Sequence, residues 1–219
     1  AVSRIMAREA LYTPPLHGGG LSSITPGLLQ VWYSESTLAA LAREVEHAQP
    51  RRLACLSCPS VYFWLREKGS CAASNFEYDR RWGEDTNFVF FDCYSPDDVD
   101  PSLHAQFDFL IADPPSLQLS VLENYATVIR RLAAPGAKIL FSTFDSFFPT
   151  MSDLLLLSPQ LFKPALPGLG YAESGRWCFY SNFKCVALCV PNDELSHAVA
   201  TDEPDESWAD GFHMPQHEI

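Results

Sequence analysis

No lysine or arginine follows Lys184, and no apolar run approaches the ~20 residues that a membrane-spanning helix needs. The second absence argues against a membrane-embedded chain. The first leaves residues 191–219 with eight acidic side chains and no basic one. Residues 1–190 hold all 15 basic residues against 19 acidic ones, and the whole chain carries a net charge of −12. Nucleic-acid binding rests on several Lys/Arg–phosphate contacts, so this balance points away from nucleic acid and toward a basic protein or small-molecule partner. The chain also lacks a Gly-x-Gly-x-x-Gly loop, so a phosphate cradle is not indicated. Residues 1–9 mix charges and have no apolar core, so no signal peptide is expected. Cysteine is present seven times, an odd number, with Cys55, Cys93, Cys185 and Cys189 inside apolar, strand-like runs. That suits reduced core thiols and a cytoplasmic setting. Cys55-x-x-Cys58 has zinc-knuckle spacing, but no second pair completes it, and no metal is expected.

With 219 residues and 47% apolar composition, the chain is long enough for one sizeable core. Residues 1–29, with Pro14-Pro15 and Gly18-Gly19-Gly20, read as a flexible N-terminal arm. Residues 30–190 read as the folded domain and 191–219 as an acidic tail. Leu38, Leu41, Ala42 and Val45 fall on one helical face, with Ser34 or Ser36 as N-cap. Further helices are expected over 60–68, stopped by Gly69, and over 121–132, with Val121, Tyr125, Val128, Ile129 and Leu132 inward. Strands are expected over 52–57, 72–78, 88–92, 107–112 and 137–141. This alternation predicts an α/β fold with a doubly wound, mostly parallel sheet. Residues 177–180 and 183–190, only Ser181-Asn182 apart, suggest a C-terminal antiparallel hairpin. The apolar stretch 151–170 has no clear assignment.

The run Phe107-Asp108-Phe109-Leu110-Ile111-Ala112 reads as a buried parallel strand stopped by Asp113-Pro114-Pro115-Ser116. Asp113 then lies at the carboxyl end of a central strand, where open α/β sheets bind ligands. Asp-Pro is also a common turn pair, so a capping role for Asp113 stays open. In this place Asp-Pro-Pro resembles motif IV of class I amino-methyltransferases, in which a carboxylate and rigid carbonyls orient an amine. The other strand ends suit a nucleoside cofactor. Ser57 and Pro59 follow the first strand with small side chains, and Glu77 and Asp79 close the second, placed for ribose hydroxyls. Asp92 closes the third, placed for an adenine amino group. Each carboxylate taken singly also fits a strand-end cap.

Several stretches, in order over residues 30–190, resemble the translation elongation factor 1-alpha lysine methyltransferases, a family once labelled N6-adenine DNA methyltransferase-like. They are Trp32-Tyr33-Ser34, Pro59-Ser60-Val61-Tyr62 with Leu65-Arg66-Glu67, and Phe76-Glu77-Tyr78-Asp79-Arg80-Arg81. The series continues with Phe91-Asp92-Cys93-Tyr94, residues 107–115, Lys138-Ile139-Leu140, and Asn182-Phe183-Lys184-Cys185. The resemblance implies a seven-strand class I, Rossmann-like sheet, S-adenosylmethionine as methyl donor, and a lysine of elongation factor 1-alpha as acceptor. It implies catalytic roles for Asp113, Pro114 and Pro115, and cofactor contacts from Ser57, Pro59, Glu77, Asp79, Asp92 and Asp113. The substrate side would be formed by Trp32, Tyr33 and Ser116. Two departures stand out: Ser116 replaces an aromatic residue, and the segment 158–176 is longer and is expected beside the substrate cleft.

A lysine amine sets its own requirement. Its pKa of ~10.4 means that neutralising it at pH 7 costs about 4–5 kcal/mol. A fully ionised carboxylate would hold the ammonium, the wrong form for attack. No general base is evident; His104 and His197 both suit the surface. Trp32 and Tyr33 suit either an aromatic wall over the site or packing under the first helix. Two other functions remain open from sequence: adenine-N6 methylation of RNA or DNA, which would favour an aromatic at Ser116 and a basic groove, and a non-catalytic subunit of a larger assembly.

Overall fold

The computed structural model describes residues 32–69, 71–167 and 174–198. Its elements are α1 (Glu35–Ala48), β1 (Leu53–Leu56), α2 (Pro59–Lys68), β2 (Ala73–Glu77), β3 (Phe88–Phe90), β4 (Phe107–Ala112), α3 (Leu119–Leu132), β5 (Ala133–Phe144), α4 (Phe148–Leu155), β6 (Ser158–Pro159), β7 (Trp177–Ser181) and α5 (Asp193–Ala198). The seven strands form one sheet in the order β3-β2-β1-β4-β5-β7-β6. All pairs from β3 to β5 are parallel, while β7 runs antiparallel to both β5 and β6. The expected α/β class is therefore the observed one. The arm at 1–29 and the part of the acidic tail beyond residue 198 lie outside the described residues.

Strand alternation divides the core in two. Leu53, Cys55, Phe109, Ile111 and Leu140 pack with α1 and α2; Ala54, Leu56, Leu110, Ala112 and Phe141 pack with α3. Both faces of β1 and β4 are covered, so these strands carry near-continuous apolar runs. Ser34 caps α1, accepting the Thr37 N–H, and Leu38, Leu41, Ala42 and Val45 form its buried face. Gly69 ends α2 at φ +66, in the left-handed region that favours glycine. The five expected inward residues of α3 are fully buried. The described part of the unassigned stretch 151–170 begins within α4 and continues into the edge strand β6. All seven cysteines are free, and Cys55 and Cys58 are buried core residues. Among the described residues, no His/Cys/Asp/Glu group could hold a metal, and no helix is long and apolar enough to cross a membrane.

The C-terminal antiparallel pair exists, but its partners differ from those expected. β7 pairs with β5 and β6, and residues 183–190 form no strand. Two side chains divert them. Asn182 accepts the Ile139 N–H at 2.8 Å and donates to the Ala137 carbonyl at 2.9 Å, so a side-chain amide ends the pairing on β5. Glu44 of α1, 1% exposed, then takes the backbone donors that a strand would have used. Its Oε1 accepts from Val186 at 2.9 Å, Ala187 at 2.6 Å and Leu188 at 2.9 Å. The carboxylate replaces its lost hydration with amide dipoles and anchors the C-terminal segment across α1.

Removing one partner of such a buried network leaves the other donors unmet. Glu44→Ala should therefore lower the unfolding free energy by about 3–5 kcal/mol. Glu44→Gln keeps an acceptor in the position of Oε1 and should lose less than half as much. Urea denaturation followed by tryptophan fluorescence reads both. An alanine variant within about 1 kcal/mol of the parent would show that the segment is held by packing alone.

Candidate active site

The sheet register builds the site. Leu56 pairs with Phe76 on one side and Ala112 on the other, and Ala112 pairs with Phe141. The next residue on each strand is Ser57, Glu77, Asp113 and Ser142, so four polar groups emerge at one level of the carboxyl edge. β1 lies between β2 and β4, and the strand order reverses there. This is the crevice where doubly wound sheets bind ligands.

Ser57 leaves β1 at φ +53, a conformation that costs a non-glycine residue of order 1 kcal/mol. Its N–H donates to the Phe76 carbonyl at 2.8 Å, and its hydroxyl accepts from the Tyr125 hydroxyl at 2.5 Å. Tyr125 thus ties α3 to the loop after β1. The sequence reading placed it only in the core; the signal was a phenol on a buried helix face, which needs a polar partner. Cys58 and Pro59 follow, both buried, with Pro59 at the first position of α2.

Glu77 is buried, and its Oε1 accepts the N–H groups of Tyr78 at 2.9 Å and Asp79 at 3.1 Å. Asp79 is buried as well, but the 3₁₀ turn Arg80–Trp82 engages it: it accepts from the Arg81 N–H at 3.0 Å and from the Arg81 Nε at 2.8 Å. Asp92 is half-buried two residues past β3 and accepts the Tyr94 N–H at 2.8 Å. Beside these acids Tyr78 and Phe90 are 51% and 41% exposed, with ring centroids 5.6 Å apart and the Arg80 guanidinium 3.6 Å from the Phe90 centroid.

Asp113 leaves β4 with its N–H donated to the Leu56 carbonyl at 3.0 Å. Pro114 is buried and Pro115 exposed. Ser116 is buried and accepts the Gln118 N–H at 3.2 Å, which closes the turn into α3. Tyr33 is buried, its ring 5.8 Å from that of Phe179, so it is a core residue. Its hydroxyl end nevertheless acts on Asp113, as does Ser142 from β5. Trp32, one residue earlier, is half-buried. Residues 162–166 lie against the start of α1, where the Ser34 N–H donates to the Ala165 carbonyl at 3.0 Å. Phe162 and Leu166 of the long segment share a core cluster with Tyr33.

Asp113 keeps partial solvent contact, yet protein surrounds it closely. Burial pushes its carboxyl up from 3.8 to about 7; the Tyr33 and Ser142 hydroxyls pull back, and the Glu77 charge pushes further up. Burial, and then the Asp113 charge, raise the Tyr33 hydroxyl well above its ordinary value. The site can therefore hold an acid that is half protonated near neutrality, the condition for exchanging a proton with a ligand.

A family model described as "Probable N6-adenine methyltransferase" matches residues 26–185. A protein-lysine N-methyltransferase of Caenorhabditis elegans is 31% identical over 180 residues, spanning 75% of this chain and 83% of that protein. EEF1A lysine methyltransferase 1 of Gallus gallus is 40% identical over 124 residues, 53% of this chain and 56% of that protein. Its counterpart in Homo sapiens is 39% identical over 145 residues, 63% of this chain and 66% of that protein. The match to these two spans between half and two thirds of their length.

The raised carboxyl has a measurable consequence for stability. An unfolded aspartate titrates near 3.8 and the folded one near 7, so the native state holds the extra proton between those values. The group's contribution is greatest below the lower value and is lost as pH rises through about 7. Asp113→Asn removes the charge and should stabilise the fold at pH 8 by about 1–3 kcal/mol, less than the full 1.36 kcal/mol per unit because solvent reaches the group. The gain should shrink to about a third of that at pH 5 and vanish only below about pH 3.8. Denaturation curves at the two pH values check this, and an equal gain at both would refute an ionisation effect.

Proposed function

The chain belongs to the family described as "Probable N6-adenine methyltransferase", and from that premise we propose that it is an S-adenosylmethionine-dependent protein-lysine N-methyltransferase acting on translation elongation factor 1-alpha. The observation that carries the reading is Asp113 at the carboxyl end of β4, beside two prolines and within reach of Tyr33 and Ser142. It is joined by the relatives named above, which are protein-lysine methyltransferases.

The residues present fit the cofactor. Its sulfonium and ammonium groups are cationic, and the acids Glu77, Asp92 and Asp113 stand at the carboxyl ends of β2, β3 and β4. Glu77 stands at the end of β2, where a carboxylate can accept from ribose hydroxyls. The exposed rings of Tyr78 and Phe90 offer an apolar face for adenine, and Asp92 an acceptor for its amino group. Ser57 and Pro59 leave room for the methionine part. Asp79, engaged by Arg81, supports this set from behind. When bound, S-adenosylmethionine supplies an electrophilic methyl group.

The chain's own residues handle the amine. Asp113 and the Pro114 carbonyl accept its N–H groups and aim its lone pair. A carboxyl titrating near 7 holds a lysine less firmly as ammonium than an ordinary aspartate would. Trp32 borders the entry, and the buried Tyr33 and Ser116 stand behind it. Residues 30–190 act as the methyltransferase domain and 1–29 as an arm. The acidic stretch 191–219 acts as a tail that attracts a basic protein. All seven cysteines being free suits the cytoplasm.

The adenine reading has one supporting fact, the family description. Against it, Ser116 is buried and hydrogen-bonded in its own turn, so it offers no stacking face. The acidic balance likewise suits neither DNA nor RNA.

The test uses the full chain. Calorimetric titration with S-adenosylmethionine should show micromolar binding, and Glu77→Ala should weaken it by about tenfold or more, the cost of a buried charged hydrogen bond. With radiolabelled donor, elongation factor 1-alpha should be methylated on lysine. Asp113→Ala should lower turnover at least about 100-fold and change donor affinity less than about threefold. Label on an adenine oligonucleotide instead of the protein would favour the second reading. A fully active Asp113→Ala variant would end both.

A further inference from the structure

We propose that Ser142 is a positioning residue of this site, whose hydroxyl acts with that of Tyr33 to orient Asp113 for receiving the substrate amine. The identity of that amine rests on the methyl-transfer reading above; the coupling of the two hydroxyls to the carboxylate does not.

Three independent elements converge here. Phe141 pairs with Ala112, so Ser142 and Asp113 are the next residues on adjacent parallel strands. Alternation puts Ser142 on the same face as Leu140, and Asp113 on the same face as Ile111. Leu140 and Ile111 share one core cluster with Tyr33, which enters from the segment before α1. Ser142 is 1% exposed and Tyr33 6%. Neither hydroxyl makes a hydrogen bond of normal geometry among the described residues. Two buried hydroxyls left in that state are costly, and structures keep such groups where a ligand or a reaction uses them. Both lie close enough to Asp113 to act on its carboxyl group.

The remaining ionisable groups that bear on Asp113 push the other way. Glu77 on β2 repels its charge, and the buried Cys58 and Tyr125 supply no cation. The hydroxyls are thus the groups that favour the ionised carboxylate in this crevice. In that form Asp113 takes a proton from the entering ammonium: the N–H bond breaks, an Oδ–H bond forms, and the electron pair stays on nitrogen. Asp113, which keeps partial solvent contact, returns the proton to water. Removing a hydroxyl leaves the carboxylate less favoured, so the pH at which Asp113 ionises rises and the neutral-pH rate falls.

The experiment is a pair of pH titrations on the full chain. Asp113 is followed directly by NMR of carbon-13-labelled aspartate in the unliganded protein, using Asp113→Asn to assign its signal. Ser142→Ala should shift its acid dissociation about three- to tenfold toward higher pH, as for loss of a hydroxyl dipole beside a charged group. Ser142→Thr should restore it, and Tyr33→Phe should shift it in the same direction by an independent route. In parallel, kcat with the protein substrate should fall by the same factor at pH 6.5 and converge with the parent at pH 9, while KM for the donor stays unchanged. A merely structural serine would lower kcat equally at both pH values and leave the midpoint in place, and that result overturns the proposal. So does a displaced midpoint with an unchanged rate profile. A displaced midpoint in a protein that methylates no lysine at all would support the coupling and refute the methyl-transfer reading instead.

Discussion

Everything at this site depends on the hydrogen-bonded register across β2, β1, β4 and β5. Parallel strands repeat their pairing at even steps, so alignment at one level fixes it at the next. Leu56 bonded to both Phe76 and Ala112 leaves Ser57, Glu77 and Asp113 no choice but to emerge together. Ala112 paired with Phe141 adds Ser142. The cost of that precision is carried locally: Ser57 adopts a left-handed backbone, and the Tyr125 phenol is spent holding its hydroxyl. A one-residue slip of β4 would turn Asp113 to the α3 face and its apolar neighbours toward the crevice.

Two carboxylates show how one chemical group is put to opposite uses. Glu44 is buried against three backbone N–H groups that replace water. It is a structural anion that holds the C-terminal segment on α1. Asp113 is buried among protein atoms, with the Tyr33 and Ser142 hydroxyls and another acid, Glu77, bearing on its carboxyl group. Its charge is therefore poorly supported, and its proton affinity rises into the neutral range. The fold tolerates the second environment because the first kind of contact stabilises the frame around it. Such a division between a rigid scaffold and a strained site is the usual cost of placing reactive groups accurately.

Much of the architecture was legible from local pattern. The helical face of α1, the Gly69 stop, the five inward residues of α3 and the bounds of β4 follow from periodicity and from residues with one strong conformational preference. The C-terminal hairpin was misplaced because β-propensity in 183–190 reports only that the segment fits a half-buried surface. Which donors and acceptors its backbone meets is decided by Asn182 and by Glu44, 142 residues away from Val186 in sequence. β5 also begins earlier than its apolar run, directly after α3, where a register irregularity opposite Phe107–Phe109 admits Gly136 at φ +77.

For the site, the sequence by itself determined the acids and the rigid turn: Glu77, Asp92 and Asp113-Pro114-Pro115 at strand ends, with Ser116 where an aromatic would stand. These could be read because strand ends and prolines are local facts of the chain. Only the tertiary structure separated Glu77 from Asp79, by giving Asp79 to Arg81. Only the tertiary structure brought the Tyr33 hydroxyl and Ser142 to Asp113, and Tyr125 to Ser57. Serine and tyrosine in apolar runs carry no directional signal of their own. Their partners come from strands and helices far apart in sequence, and a carboxylate's proton affinity depends on how much water those neighbours leave around it.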